Sequence, residues 1–107
     1  MMGASTTLSE DLVIEDGQVI NGDLKDYKIL TSMDYVPVRS RILEVPYSEG
    51  PFGAKGCGEA PIIATAPAIS NAVYNALGVR FRSLPITGER VVSALKNKRD
   101  SEPVFVD

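Results

Sequence analysis

Residues 50–59 read Gly-Pro-Phe-Gly-Ala-Lys-Gly-Cys-Gly-Glu and hold four of the nine glycines in the chain. Such a stretch makes a poor helix or strand, because glycine loses more conformational freedom on folding than any other residue. It can instead bring bare backbone against a ligand, with N–H groups free to donate. The stretch ends on a carboxylate, Glu59. The pattern therefore predicts a ligand-cradling loop that delivers one acid side chain to a buried site.

An apolar segment with helical spacing follows this loop. Its apolar side chains recur every three or four residues, at Ile62, Ala66, Ile69, Val73 and Leu77. Pro67 is tolerated only in the first turn of a helix. The sequence therefore predicts a short turn over residues 60–65 and a helix over residues 66–77. Gly78 suits the left-handed position that ends such a helix.

The C-terminal part of the chain predicts a short strand and a second helix. The strand covers residues 79–84. Its solvated face is assigned to two arginines, Arg80 and Arg82. Thr87 is the predicted N-cap of a helix over residues 88–98, whose inner face is assigned to Val91, Val92 and Leu95. The tail over residues 100–107 contains Val-Phe-Val, which is expected to pair or to fray.

The N-terminal half predicts a hairpin and one further strand. Residues 11–20 contain two β-branched runs around Glu-Asp-Gly, which is a β-hairpin signal. Residues 26–34 have no clean period and predict an irregular connection. Residues 39–47 predict a strand, although the alternation is imperfect. Residues 1–107 together predict one α+β domain with too few strands for a closed sheet, so part of the sheet is expected to come from another chain or from missing sequence.

Composition excludes several classes of function. A net charge of −3 over 107 residues does not attract phosphate backbones or anionic membranes. An apolar run of about 18 residues and a secretory signal are both absent, so no membrane span is expected. The single cysteine, Cys57, excludes an internal disulfide and fits a reducing cytoplasm. Histidine is absent, which removes Ser/His/Asp and Cys/His nucleophiles and the usual zinc sites.

The glycine loop fails the two common nucleotide-binding patterns. Residues 56–61 lack the third glycine of the dinucleotide fingerprint. Lys55 is followed by glycine, whereas the Walker pattern requires serine or threonine there. A nest for another phosphorylated or pterin-like cofactor remains open. The local pattern by itself favours an ordinary glycine-rich surface loop.

Each polar residue of the loop also has a simpler interpretation. Glutamates at a helix start are usually solvated, but the small and apolar neighbours of Glu59 favour a partner or a catalytic role, because burying a carboxylate without one is costly. Cys57 is expected to be a small buried packing residue, since no histidine can activate its thiol. Lys55 is as compatible with a surface charge as with a ligand.

Several segments carry a resemblance to a known family. Three segments closely resemble the C-terminal end of the molybdenum-binding large subunit of the xanthine dehydrogenase and aldehyde oxidoreductase family. They are residues 50–61 (the loop followed by Ala-Pro), residues 66–80 (Ala-Pro-Ala-Ile-Ser-Asn-Ala-Val-Tyr-Asn-Ala-Leu-Gly-Val-Arg) and residues 84–87 (Leu-Pro-Ile-Thr). Residues 24–34 resemble that family's Asp-Tyr-Lys-Ile-Pro-Thr stretch, with leucine where proline is common, and residues 3–10 resemble a family helix ending in Leu-x-Glu. The specific Gly-x-Gly-Glu segment outweighs the local preference for a surface loop.

The resemblance implies a C-terminal part of a molybdopterin-binding domain. The enzyme would hydroxylate an aldehyde or an N-heterocycle with oxygen from water. Glu59 matches the general base. Gly56, Cys57 and Gly58 match residues that contact the cofactor through the main chain, with no role for the thiol. The implied cofactor is a molybdopterin-type molybdenum cofactor, either without a nucleotide or in its cytosine dinucleotide form.

The resemblance also implies partners. These are the remainder of the molybdenum subunit, iron–sulfur and FAD-containing domains or subunits, and a small-molecule substrate, in the cytoplasm and without nucleic acid or membrane. The family subunit is several times longer than this chain, so a fragment is expected: a cloned piece, a separately encoded part or a decayed gene. Such a fragment would be inactive by itself, because a base without a held metal has nothing to act on. The alternative is a non-catalytic scaffold piece that completes a larger subunit.

Overall fold

The computed structural model describes residues 1–100 and 105–106, in which helices alternate with two small sheets. The helices and strands are α1 (Met2–Leu8), β1 (Ile14–Glu15), β2 (Gln18–Val19), α2 (Ala60–Ile63), α3 (Thr65–Leu77), β3 (Arg80–Phe81), α4 (Gly88–Asp100) and β4 (Phe105–Val106). Short 3-10 turns lie at Ser32–Asp34 and Pro51–Gly53. Strands β1 and β2 are antiparallel, whereas β3 and β4 are parallel. The predicted α+β class is confirmed.

The N-terminal hairpin forms where the sequence predicts it. Between its strands, φ is 48° at Asp16 and 78° at Gly17. Left-handed values at both turn positions match the twist of a tight hairpin, and aspartate and glycine tolerate them well. Asn21 extends the pairing beyond the strands: its Oδ1 accepts the Val13 N–H at 2.8 Å, and its Nδ2 donates to the Asp11 carbonyl at 2.6 Å.

The helix after the glycine loop, α3, is also confirmed. All five apolar residues predicted at helical spacing are half-buried. Pro67 is the third residue of α3, where its missing N–H would have no intrahelical partner. Gly78 ends the helix with φ of 65°, and the Lys98 Nζ donates to the adjacent Leu77 carbonyl at 2.6 Å. The turn predicted over residues 60–65 contains a short helix, α2.

The core is built around β3 and α4. Its buried apolar residues are Val79, Phe81, Ile86 and Ala94. On α4, Ala94 is 2% exposed, whereas Val92 is 53% exposed. The assignment of Val92 to the inner face is therefore wrong, because each residue turns the helix by about 100° and Val92 lies past the half-buried Val91 toward solvent. Thr87 is an N-cap as predicted, since its Oγ1 accepts the Arg90 N–H at 3.3 Å.

Helix α1 packs on α3 through small side chains. A Cβ at Gly3 would lie 2.7 Å from the Thr65 Cβ, so only glycine permits this approach. Thr7 is fully buried, and its Oγ1 donates to the Gly3 carbonyl at 2.6 Å. Its own carbonyl accepts the Ile86 N–H at 2.7 Å, which connects α1 to the core. The helix suggested by residues 3–10 is present as α1.

Two strand predictions need correction. Residues 39–47 form no strand, and no described residue supplies the hydrogen-bonded partner that a strand needs. The strand predicted over residues 79–84 is shortened to β3, which pairs with β4. Val104, the first residue of the Val-Phe-Val tail, lies outside the described residues. Arg82 is exposed as predicted, but Arg80 is half-buried, with its guanidinium 4.0 Å from the Tyr74 ring centre.

A large part of the chain stands away from the core. The radius of gyration is 18.1 Å, against about 13 Å for a compact domain of this size. Every residue from 31 to 49 is exposed, and so are large apolar side chains such as Met33, Ile42, Leu43 and Phe52. Within residues 1–100 and 105–106, no helix has the length and hydropathy needed to cross a membrane.

We expect the chain by itself to be oligomeric or marginally stable. The buried core among the described residues is small, and many large apolar side chains are exposed, which is typical of a surface that packs against other polypeptide. Light scattering coupled to size exclusion measures the mass, and thermal unfolding at several concentrations measures the stability, because self-association makes Tm depend on concentration. A monodisperse monomer with a high Tm would contradict this expectation.

Candidate functional site

Two glycines of the loop are explained by the loop itself. A Cβ at Gly50 would collide with the Ala54 carbonyl oxygen and lie 3.0 Å from Cδ1 of Tyr47. Gly53 has φ of 75°, which favours glycine, and Phe52 before it has φ of 54°. The first half of the loop is therefore a tight turn whose glycines are required by close approach and by backbone conformation.

The other two glycines have no such explanation within the chain. A Cβ added at Gly56 or at Gly58 would meet no atom within 4 Å, and neither residue has a left-handed φ. The backbone at both positions is open on the side where a side chain would stand. This open space fits a group that approaches the backbone from outside the chain.

A lysine connects the loop to the preceding extended segment. The Lys55 Nζ donates to the Val45 carbonyl at 2.7 Å, and the side chain is exposed. Lys55 is thus a surface lysine whose ammonium group forms a hydrogen bond that joins the loop to the extended segment. The sequence contains no local signal for this contact, because the two residues lie ten positions apart.

A groove of about 920 Å³ lies between the loop and the extended segment. One side consists of residues 42–47, and the other consists of residues 52–61 apart from Ala54, Gly58 and Glu59. Cys57 lines this groove and is exposed, so the expectation that it is a buried packing residue is wrong. The error has a physical cause: no described part of the chain packs over the loop, so its small residues have nothing to be buried against.

Glu59 lies at the end of the loop, at the N-cap position of α2. Its side chain makes no capping hydrogen bond and is exposed. It does not line the groove, although Cys57 and Ala60 on either side of it do. The predicted buried setting is therefore not formed by this chain alone. Its carboxylate is not used in capping α2, and Glu59 directly follows Gly58 in the chain.

Sequence reasoning missed a polar cluster that joins α1 to the segment after the hairpin. The Tyr27 hydroxyl donates to Oε2 of Glu10 at 2.6 Å, and the Leu30 N–H donates to Oγ of Ser5 at 3.0 Å. Hydrogen bonds from Ser5 and from Tyr27 hold the pKa of Glu10 below its usual value. The same carboxylate raises the pKa of Tyr27. The cluster fixes the start of the long connection that leads to the glycine loop.

Tyr27→Phe is expected to lower Tm at neutral pH. The lowered pKa means that the ionised Glu10 stabilises the fold above its ordinary pKa of 4.5, and that this contribution is lost as the pH falls through the lowered value. The raised pKa of Tyr27 means that its contribution is lost as the pH rises through a value above 10.0. The Tm difference between Tyr27→Phe and the wild type should therefore be largest at pH values between the lowered pKa of Glu10 and the raised pKa of Tyr27. It should become smaller at lower and at higher pH.

Thermal unfolding followed by circular dichroism across pH checks this expectation. Tyr35→Phe is the matched control, because it removes the same hydroxyl from a tyrosine that is exposed and lies in the stretch of residues 31–49 away from the core. Equal Tm shifts for the two variants at pH 7 would show that the Tyr27 hydrogen bond contributes nothing.

The chain has clear relatives, although no protein-family model matches it. It is 39% identical over 92 residues to the xanthine dehydrogenase molybdenum-binding subunit of Escherichia coli O157:H7, covering 84% of this chain and 12% of that subunit. It is 35% identical over 98 residues to the aldehyde oxidoreductase molybdenum-binding subunit PaoC of Escherichia coli K12, covering 88% of this chain and 13% of PaoC. The chain therefore spans a small part of the length of the curated relatives it matches.

A solved structure leads to the same group of proteins. Quinoline 2-oxidoreductase from Pseudomonas putida 86 has a TM-score of 0.74 to this chain at 34% identity, covering 89% of this chain and 13% of the solved one. The match extends over sequence and over fold, and it confirms the family that the loop and its flanking segments predict. The chain is homologous to a small part of the molybdenum-binding subunit of the xanthine dehydrogenase and aldehyde oxidoreductase family.

Proposed function

We propose that this chain forms part of a molybdenum hydroxylase that hydroxylates an aldehyde or an N-heterocycle with oxygen from water. Two classes of relative support this substrate range, since one is named an aldehyde oxidoreductase and others are named for quinoline and nicotinate. Within that enzyme, Glu59 is the general base. The backbone of Gly56, Cys57 and Gly58 contacts the cofactor.

The residues of the loop fit a bulky planar cofactor that is held through backbone. Open space beside Gly56 and Gly58 admits such a group without a clash. The adjoining groove is lined mostly by apolar and small side chains, as cofactor sites commonly are. When bound, a molybdopterin-type cofactor, with or without a cytosine nucleotide, supplies the redox and oxygen-transfer chemistry. The loop contributes N–H donors and close approach.

Glu59 contributes a proton acceptor. Its carboxylate has no capping bond to break before it accepts a proton at one oxygen. The short turn into α2 fixes its backbone, so the side chain extends from a defined position. Exclusion of water around it must come from other polypeptide, because this chain leaves Glu59 exposed. The proposed partners are accordingly the remainder of the molybdenum subunit and, for electron removal, iron–sulfur and FAD-containing domains or subunits in the cytoplasm.

The observation that carries the proposal is the combination of two unexplained glycines with an uncommitted carboxylate one residue beyond them. Metal and pterin analysis of the native complex purified through this chain tests it. We expect molybdenum and pterin in amounts close to stoichiometric with this chain. A complex of full size that contains neither would contradict the proposal.

A second candidate is a non-catalytic scaffold piece, and the exposed apolar surface favours it. Such a piece would complete the packing of a larger subunit without contributing to a cofactor site. It predicts co-purification with a larger partner that lacks molybdenum. The same metal analysis therefore separates the two functions.

A further inference from the structure

Among the described residues, the segment over residues 36–47 belongs to the longest stretch without regular structure, turn or bend. It contains no turn or bend, and none of its backbone groups bonds to another described backbone group. We propose that this segment is a β-strand that pairs with a strand of the larger molybdenum-binding subunit, outside this chain. The inference rests on the part of the proposed function that places the chain in such a subunit.

The side-chain pattern of the segment fits a strand that is covered on both faces in its centre. Apart from the two prolines, the apolar residues up to Ile42 occupy even positions, with Ser40 as a polar exception, and Arg39 and Arg41 occupy odd ones. From Leu43 onward the apolar residues other than proline occupy odd positions. Neighbouring residues of an extended chain point to opposite faces. Ile42 and Leu43 are each 87% exposed, so both faces present a large apolar side chain.

The change of phase between these two residues also explains why the alternation is imperfect. A shift by one residue exchanges the two faces of a strand. The two arms of one regular strand therefore present their apolar side chains to opposite faces, and the change occurs between Ile42 and Leu43. What the segment lacks is a neighbouring strand, because an isolated extended segment has no inter-strand hydrogen bonds to stabilise it.

A strand of the larger subunit is the occupant that these observations favour. The chain spans only 12% of the xanthine dehydrogenase subunit that it matches, so most of the polypeptide of such a subunit lies outside it. Unpaired extended segments are completed by strand addition, in which main-chain bonds give affinity and alternate side chains give specificity. Arg39 and Arg41 on one face favour acidic side chains opposite them on the partner strand.

Pairing of this segment would also position the candidate site. Residues 42–47 form one side of the groove, and the Val45 carbonyl accepts the Lys55 Nζ from the glycine loop. A ladder that fixes the segment therefore fixes one side of the groove and one anchor of the loop. In the chain alone, that side is held by no backbone bond to the described residues.

Amide hydrogen exchange followed by mass spectrometry tests the proposal on the complex purified through this chain. We expect peptides covering residues 38–45 to exchange about tenfold more slowly, or slower still, in the complex than in the chain alone, as ladder amides do. Peptides of α3 provide the protected reference. Exchange over residues 38–45 that is equally fast in both samples would overturn the proposal. Protection that is already present in a dimer of the chain alone would assign the pairing to a second copy and would also overturn it.

A pair of variants provides an independent measurement. Leu43→Asp places a charge on the apolar centre of the segment, and Ser48→Asp places the same charge on an exposed residue just beyond it. We expect Leu43→Asp to reduce the amount of larger subunit recovered with the chain about tenfold or more, since an unpaired buried charge is costly. Ser48→Asp should leave it unchanged. Unchanged α3 protection verifies that each variant folds, and equal recovery for both variants would contradict the proposal.

These readouts do not depend on turnover. A complex with a protected segment but an inactive or metal-free site would leave the strand pairing in place and refute only the catalytic assignment. A complex with full activity in which residues 38–45 exchange rapidly would refute the strand pairing and leave the catalytic assignment in place.

Discussion

Glu59→Gln in the assembled enzyme is expected to reduce kcat by about 10²–10⁴-fold, the range that general acid–base catalysis typically contributes. Glutamine keeps the size and polarity of the side chain but has no ionised oxygen to accept the proton. Molybdenum and pterin content should stay unchanged, because the proposed cofactor contacts belong to the backbone of Gly56, Cys57 and Gly58. Steady-state turnover and metal content measured on the same preparation check both parts.

Glu49→Gln is the matched control for this variant. Glu49 directly precedes the loop and is exposed like Glu59, and its Oε1 only accepts a hydrogen bond from the neighbouring Ser48 hydroxyl at 3.2 Å. We expect its turnover to equal that of the wild type. Retained activity in Glu59→Gln would remove the catalytic assignment. Loss of molybdenum together with activity would instead reassign Glu59 to holding the cofactor.

The elements that the sequence predicts well are those whose determinants are local. The helix α3 has its apolar spacing, its early Pro67 and its terminal Gly78 within one continuous stretch, so its bounds follow from local rules. The hairpin has its turn signal between its own two strands. Residues 39–47 have strand composition but no partner among the described residues, and a strand exists only as a pair. The strand prediction for residues 39–47 is wrong for this chain because the partner strand that it requires is not encoded in the neighbouring sequence.

The same distinction applies to the site. The loop and Glu59 are contiguous in sequence, so the glycine pattern together with the family resemblance is enough to select them as a candidate site. Their assignment to a cofactor and to proton transfer stays a prediction. The hydrogen bond between Glu10 and Tyr27 joins residues 17 positions apart, and neither has a neighbouring residue that signals it. The exposure of Cys57 depends on what packs over the loop, which composition does not encode.

Gly58→Ala is expected to reduce molybdopterin affinity without destabilising this chain. A Cβ at this position meets no atom of the chain within 4 Å, and its φ is not left-handed. Alanine should therefore be neutral or slightly stabilising to folding, because it restricts the unfolded chain. Where the cofactor approaches the backbone closely, the same methyl group would overpack the contact at a cost of about 1–3 kcal/mol, which corresponds to a roughly 5- to 150-fold loss of affinity.

Two further glycine substitutions separate this interpretation from a general effect of added side chains. Gly88→Ala also adds a methyl group in open space, but at the start of α4, so it should leave cofactor content unchanged and be neutral or slightly stabilising to folding. Gly50→Ala should distort the loop and lower Tm, because its Cβ collides with the Ala54 carbonyl oxygen. Pterin content, molybdenum content and Tm of the three variants are measured on the assembled enzyme. If Gly58→Ala keeps its full cofactor content, the open backbone beside Glu59 is not the surface that the cofactor touches.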